Sequence, residues 1–177
     1  MALGTLREDL VPDYHRWEQQ LLVLVGLGHT TPETLESRRT SYGLASQAGE
    51  AGAYFTVYAN NGETWQPIGL SALHIEARKQ VADYVILLGE RRGEGLGTEA
   101  TKLTLDWVFN VAGLRNAKLE VWEPNKAAIR AYEKAGFKIV GVRRNGARWL
   151  GQQCDEIIMD AVPEDLTGSV VEQQLQA

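Results

Sequence analysis

The spacing of apolar positions changes several times along the chain, and each change marks an element. Leu3 to Arg7 reads as a short strand, and a helix follows from about Val11 to Leu22. Thr31-Pro32-Glu33 opens a second helix that reaches about Ala45, because threonine caps a helix start and proline suits its first turn. Gly49 to Gly52 is a loop. Tyr54-Phe55-Thr56-Val57-Tyr58 is β-branched and aromatic and reads as a strand. Asn60-Asn61-Gly62 is a turn signal, and Pro67 to Ile75 reads as the antiparallel partner. Val81 to Leu88 is a further strand. Its run Val85-Ile86-Leu87-Leu88 is apolar throughout, the pattern of a strand covered on both faces.

The second half alternates differently. Gly93, Gly95 and Gly97 sit close together, and a helix follows from Thr98 to about Val111. Its apolar residues Ala100, Leu103, Trp107, Val108 and Val111 fall at helical spacing, and Gly113 ends it. Lys118 to Trp122 is a strand. Asn125 to Ala135 is a helix stopped by Gly136. Phe137 to Val142 and Cys154 to Val162 read as a terminal strand pair. The sum is a mixed α/β (α+β) chain of about seven strands and four helices. It forms one domain over residues 1–162, and residues 163–177 read as a polar, flexible tail.

Composition narrows the partners. The 177 residues are 44% hydrophobic and 23% charged, enough apolar content for one sizeable core. The net charge of −5 argues against a nucleic-acid backbone as partner and suits a cationic acceptor such as an amine. The single cysteine, Cys154, excludes an internal disulfide and fits a reducing compartment. The first residues are interrupted by Glu8 and Asp9, unlike a signal peptide, and the apolar stretch Leu21 to Leu27 is too short to span a bilayer. The expected location is therefore cytoplasmic, with no membrane partner.

The chemistry concentrates where the strand ending Leu87-Leu88 meets the helix beginning near Thr98. Glycines there let the backbone approach a ligand and adopt positive φ. The helix start aims free N–H groups and its positive dipole end at one spot, which suits a pyrophosphate. A Walker loop is excluded because no lysine precedes Thr98. A dinucleotide fingerprint is excluded because the glycines are spaced two and two.

Arg92-Gly93-Glu94-Gly95-Leu96-Gly97 resembles the (Gln/Arg)-x-x-Gly-x-(Gly/Ala) loop of the GCN5-related N-acetyltransferase superfamily. Asn125 to Phe137 resembles that family's N-x-x-A-x-x-x-Y-x-x-x-G-F helix. Thr98-Glu99-Ala100 and Asp155-Glu156-Ile157-Ile158-Met159 are similar to its branch acting on ribosomal-protein N-termini. The resemblance covers residues 80–162 closely and the N-terminal third loosely. It implies a sheet whose central strands splay. It also implies acetyl-CoA as cosubstrate, no metal, and direct transfer of the acetyl group to a primary amine. That amine is a protein N-terminus or a small molecule such as an antibiotic or a polyamine. A homodimer is expected because relatives often pair.

Carried over residue by residue, backbone amides of Arg92, Gly93, Glu94, Gly95, Leu96, Gly97 and Thr98 hold the pyrophosphate. Leu87 and Leu88 pair with the pantetheine arm, and Asn125 lies beside it. Tyr132 lies near the sulfur, where a phenol can protonate the leaving thiolate. For the base, Asp83 ranks first, on the strand leading into the loop; relatives carry glutamate there, one carbon longer. Glu120 and His74 are alternates. Each candidate also has a plainer role. Asn125 caps a helix, Tyr132 packs with Ala128 and Ile129, and Asp83 is a charge at a strand end. Cys154 reads as buried packing and Arg143 to Arg148 as a solvated hairpin tip. Leu21 to Leu27 reads as helix core, as an acceptor-pocket wall or as a dimer contact. An acyl-CoA-binding regulatory module without catalysis is the alternative to an enzyme. It would keep the loop and Asn125 and need no base.

Overall fold

A computed structural model describes residues 1–175. Seven strands form one sheet: β1 (Ala2–Thr5), β2 (Gly52–Asn60), β3 (Trp65–Glu76), β4 (Val81–Leu88), β5 (Asn116–Trp122), β6 (Lys138–Trp149) and β7 (Gln152–Ala161). Their order is β1-β2-β3-β4-β5-β7-β6, and among the described residues only β4 and β5 run parallel. The helices are α1 (Val11–Glu18), α2 (Leu21–Leu27), α3 (Leu35–Ser46), α4 (Leu96–Asp106), α5 (Lys126–Ala135) and α6 (Val170–Leu175). The strand number agrees with the sequence reading, while six α-helices stand among the described residues where about four were expected.

Two main cores cover the sheet, with a smaller one of Val57, Ala59, Ile68 and Ala100 beside them. On one face Val11, Tyr14 and Trp17 of α1 pack with Leu70 of β3 and Leu87 of β4. On the other, Tyr84, Leu105, Val108, Ile129, Phe137 and Met159 join β4, β5 and β7 to α4 and α5. Alternation along β4 sends Leu87 to α1 and Tyr84 to α4. Val85 escapes both cores and stays 38% exposed, so the apolar run is not wholly covered.

Several boundaries differ from the sequence reading. The helix expected over Val11–Leu22 breaks at Gln20, whose backbone is extended and whose side-chain Nε2 donates to the Gly89 carbonyl at 3.0 Å. That break swings α2 away as a separate, largely exposed apolar turn. α3 begins at Leu35, capped by Thr34 and not Thr31: Thr34 Oγ1 accepts from the Ser37 amide at 3.1 Å. α4 runs into a wider π turn over Trp107–Val111. The terminal hairpin is longer than expected, because Arg143 to Arg148 continue β6. The turn itself falls at Leu150 and Gly151, both at positive φ.

Residues 163–171, read from sequence as part of a tail, are docked. Leu166 packs on the second core, and Lys138 pairs with Asp165 at 2.5 Å. The buried Asp106 carboxylate accepts from the Ser169 hydroxyl at 2.6 Å and from the amides of Val170 and Val171 at 2.8 and 3.1 Å. Burial pushes its pKa up, but these bonds and one from Asn110 outweigh that and hold it below the usual 3.8. A carboxyl depressed in the fold stabilises above its unfolded pKa and loses that contribution as pH falls through the folded one. Asp106→Ala is therefore expected to cost about 3 kcal/mol in urea unfolding at pH 7. The difference from wild type should shrink as the pH is taken well below 3.8.

Candidate active site

β4 and β5 pair only at Val81, Ala82 and Asp83, opposite Asn116, Ala117 and Lys118. Beyond Asp83 they part. β4 stays bonded to β3 as far as Leu88, while β5 stays bonded to β7 as far as Trp122. The facing edges of both strands are left without a strand partner. A cleft of about 1020 Å³ opens between them, roofed by Leu22, Val23, Gly26 and Leu27 of α2. The apolar segment that the sequence left undecided therefore lines the cleft. Leu21, beside it, is 71% exposed.

At one end lies the glycine loop. The Gly89 and Glu90 amides donate to the Ile68 carbonyl at 2.8 and 3.1 Å and fix the exit from β4. Gly93 and Gly95 then take φ of 90° and 82°, and Gly95 caps α4. A Cβ on either would meet nothing within 4 Å, so open space faces the backbone. Arg92, Gly93, Gly95, Gly97 and Thr98 line the cleft, as do Leu87, Leu88 and Asn125. Glu94 and Leu96 do not. The Glu94 carboxylate is paired with Arg91 at 2.7 Å, and Leu96 packs on the small core beside Ala100. The role expected of both residues is through their backbone amides, which these side-chain contacts leave as it was.

α5 supplies the opposite wall. Asn125 caps it, Oδ1 accepting from the Ala128 amide at 3.3 Å, so the capping role is real while the residue also faces the cleft. Lys126, Arg130 and Lys134, four residues apart and hence on one helix face, line the cleft and give it positive charge. The sequence reading missed them, although the spacing was there to find. Together with the loop and helix start they fit the phosphates of acetyl-CoA.

Tyr132 lies on the same wall. Its ring meets Tyr84 and Phe137 edge-on at 6.3 and 5.8 Å. Its hydroxyl has no hydrogen-bond partner among the described residues, and burial pushes its pKa up to about 12. Tyr84, deeper, donates to the Thr101 hydroxyl at 3.0 Å and is pushed up further by burial.

The carboxylates separate clearly. Asp83 does not line the cleft, and its carboxylate is held by Lys118 at 2.8 Å. His74 is exposed and bonds Tyr54 at 3.2 Å, also away from the cleft. Glu120 does line it, together with Glu156, Trp122 and Trp149, three residues the sequence reading did not choose. Strand alternation carries that information only once the pairing of β5 with β7 is known. Cys154 is half-buried, with its thiol pushed up by burial and by nearby carboxylates, which makes it a poor nucleophile. Among the described residues no group of three or more His, Cys, Asp or Glu is placed to hold a metal, and no helix is long and apolar enough to cross a membrane.

The sheet thus opens beside a glycine loop and a capped helix. Residues 2–138 match the acetyltransferase (GNAT) domain, and the chain belongs to that family. The spermidine N(1)-acetyltransferase of Escherichia coli (strain K12) is 37% identical over 68 residues, which are 38% of this chain. The chain spans 36% of the length of that curated relative. The crystal structure of spermidine N-acetyltransferase from Vibrio cholerae with CoA and spermine superposes with a TM-score of 0.85 at 20% identity, over 93% of this chain and 96% of the other. The structure of AAC(6')-Ib with paromomycin and acetyl-CoA gives 0.75 at 22% identity, over 93% and 94%.

Proposed function

We propose that the protein is an acetyl-CoA-dependent N-acetyltransferase acting on a small, cationic primary amine, with polyamines the first class to test. The observation that carries this reading is the parting of β4 from β5 beside the glycine loop. One cleft thereby joins phosphate-binding amides, free strand edges and Tyr132. The spermidine and spermine named for relatives support the acceptor class, and so do the carboxylates Glu120 and Glu156 in the cleft. A protein N-terminus, the acceptor implied by Thr98-Glu99-Ala100 and Asp155 to Met159, is a second acceptor to include.

Acetyl-CoA supplies the thioester carbon that the amine nitrogen attacks, a C–N bond forming as the C–S bond breaks. The loop amides and the Lys126, Arg130 and Lys134 face bind the phosphates. The free edge at Leu87 and Leu88 bonds the pantetheine. Glu120, directly or through water, takes the proton the amine gives up. Asp83 would act only if Lys118 released it. Tyr132 donates a hydrogen bond or proton to the departing sulfur. We further propose that the enzyme works in the cytoplasm as a homodimer. The edge strand β6, with Ile139, Val140 and Val142 about half exposed, supports pairing between copies. Residues 1–162 form the catalytic domain in this proposal.

The test is free-thiol release from acetyl-CoA with spermidine, aminoglycosides and N-terminal peptides. Turnover with at least one class is expected. Absence of acetyl-CoA binding by calorimetry overturns the proposal. Tight binding with no turnover on any amine would instead favour a regulatory module.

A further inference from the structure

Arg143 has no part in the chemistry above, yet it holds both carboxylates of the cleft. It faces Glu156 directly across β6 and β7, and Glu156 faces Trp122 directly across β7 and β5. These side chains thus form one row on one sheet face. Arg143 Nη1 donates to the Glu156 carboxylate, and Nη2 reaches Glu120 Oε1 at 3.3 Å. Trp149 stands edge-on to Trp122 with ring centres 6.0 Å apart, and both rings wall the same end of the cleft. The Trp122 ring packs on the backbone of Gly28, where a Cβ would come within 2.7 Å of it.

We propose that the Arg143 guanidinium is an internal stand-in for an ammonium group of the acceptor, holding Glu120 and Glu156 until a multiply charged aliphatic amine displaces it. The inference rests on the amine-acceptor reading above and makes the acceptor's second charge a requirement.

Three observations carry it. Glu156 is buried, its side chain only 10% exposed, and burial together with the charge on Glu120 pushes its pKa up despite Arg143. A carboxylate so placed needs a cation beside it. Arg143, by contrast, is 54% exposed on an edge strand, and its 3.3 Å reach to Glu120 is long for a charge-assisted bond. Glu120 is 46% exposed, so its contact with Arg143 is an exposed pair that holds weakly and gives way first. Finally, the tryptophan walls accept an alkyl chain and favour a cation against their faces.

The charge count then selects the substrate. A nitrogen that attacks a thioester must first lose its proton and its charge. A monoamine that does so brings nothing to replace Arg143. A di- or triamine keeps a second ammonium for Glu156, and the departing guanidinium releases Glu120 to accept the proton. Filling the seat and freeing the base become one event.

The experiment compares wild type, Arg143→Gln, Arg143→Lys and Glu156→Gln. Spermidine and butylamine binding are measured by calorimetry at low and high salt, alongside steady-state kinetics. Arg143→Gln is expected to bind spermidine about tenfold more tightly at low salt. The gain should fade at high salt, where exposed charges are screened. Its KM for acetyl-CoA should be unchanged, and the acid limb of kcat/KM should move to higher pH, because the carboxylates lose their cation. Arg143→Lys should behave as wild type, and Glu156→Gln should lose the preference for spermidine over butylamine. Unchanged or weaker spermidine binding in Arg143→Gln overturns the inference, as does an unaltered preference in Glu156→Gln. If wild type acetylates spermidine and Arg143→Gln behaves identically, only this inference falls. If Arg143→Gln binds spermidine more tightly but no variant transfers the acetyl group, the transferase reading falls and this one stands.

Discussion

Tyr132→Phe is expected to lower kcat about a hundredfold, roughly 2.7 kcal/mol of transition-state stabilisation, with the KM for acetyl-CoA little changed. The split follows from how the residue is held. The ring packs edge-on against the stacked pair of Tyr84 and Phe137, and phenylalanine keeps both edge-on contacts. Only the hydroxyl is lost, and among the described residues it bonds no protein group, so folding should not notice. A pKa pushed up to about 12 keeps the phenol protonated across any working pH. It can therefore always donate, and any alkaline limb of the wild-type rate profile below about pH 10 has to come from another group. Free-thiol release gives kcat, and calorimetry gives acetyl-CoA binding. A variant that turns over like wild type would reduce Tyr132 to a packing residue.

The local structure of the proposed cofactor half was legible in the sequence because its physics is local. Glycines at 93 and 95 meet a need for positive φ, and Gly95 stands where α4 begins. Asn125 caps α5, and the i, i+4 spacing then fixes which side chains share its face. The acceptor half is made by pairing, and pairing is not local. Glu156 and Trp122 are neighbours only because β7 slots between β5 and β6, an order that reverses the chain sequence. For the same reason Asp83 looked well placed along β4 but meets Lys118 across the parallel register, before the strands part. The break at Gln20 was hidden too. Nothing in Trp17-Glu18-Gln19-Gln20 stops a helix, and the extended residue is held by the Gly89 carbonyl, far along the chain.

Gly89→Ala should be the most damaging single-methyl change in the cofactor region. Gly89 is the first residue beyond β4, where the strand becomes the loop. A Cβ there would lie 1.9 and 2.0 Å from two ring atoms of Trp17, inside any tolerable contact. Neither side can yield cheaply. Trp17 is 1% exposed in the α1 core, and its indole nitrogen donates to Glu90 at 3.1 Å. Gly89 itself is bonded through its amide to Ile68 at 2.8 Å and through its carbonyl to Gln20 at 3.0 Å. Overpacking of this severity is expected to cost about 3 kcal/mol. Any relief by backbone movement tilts the loop that carries Gly93 and Gly95, so acetyl-CoA affinity should fall with stability. Trp17→Leu alone should also destabilise, by leaving a cavity. The pair Trp17→Leu with Gly89→Ala should cost clearly less than the two changes summed, because the smaller side chain makes room for the methyl. Gly43→Ala is the control: it lies inside α3 with nothing within 4 Å of the added methyl and should stabilise by about 0.5–1 kcal/mol. Urea unfolding of the four variants checks the set, and strict additivity of the pair would show that Gly89 and Trp17 do not share the space argued here.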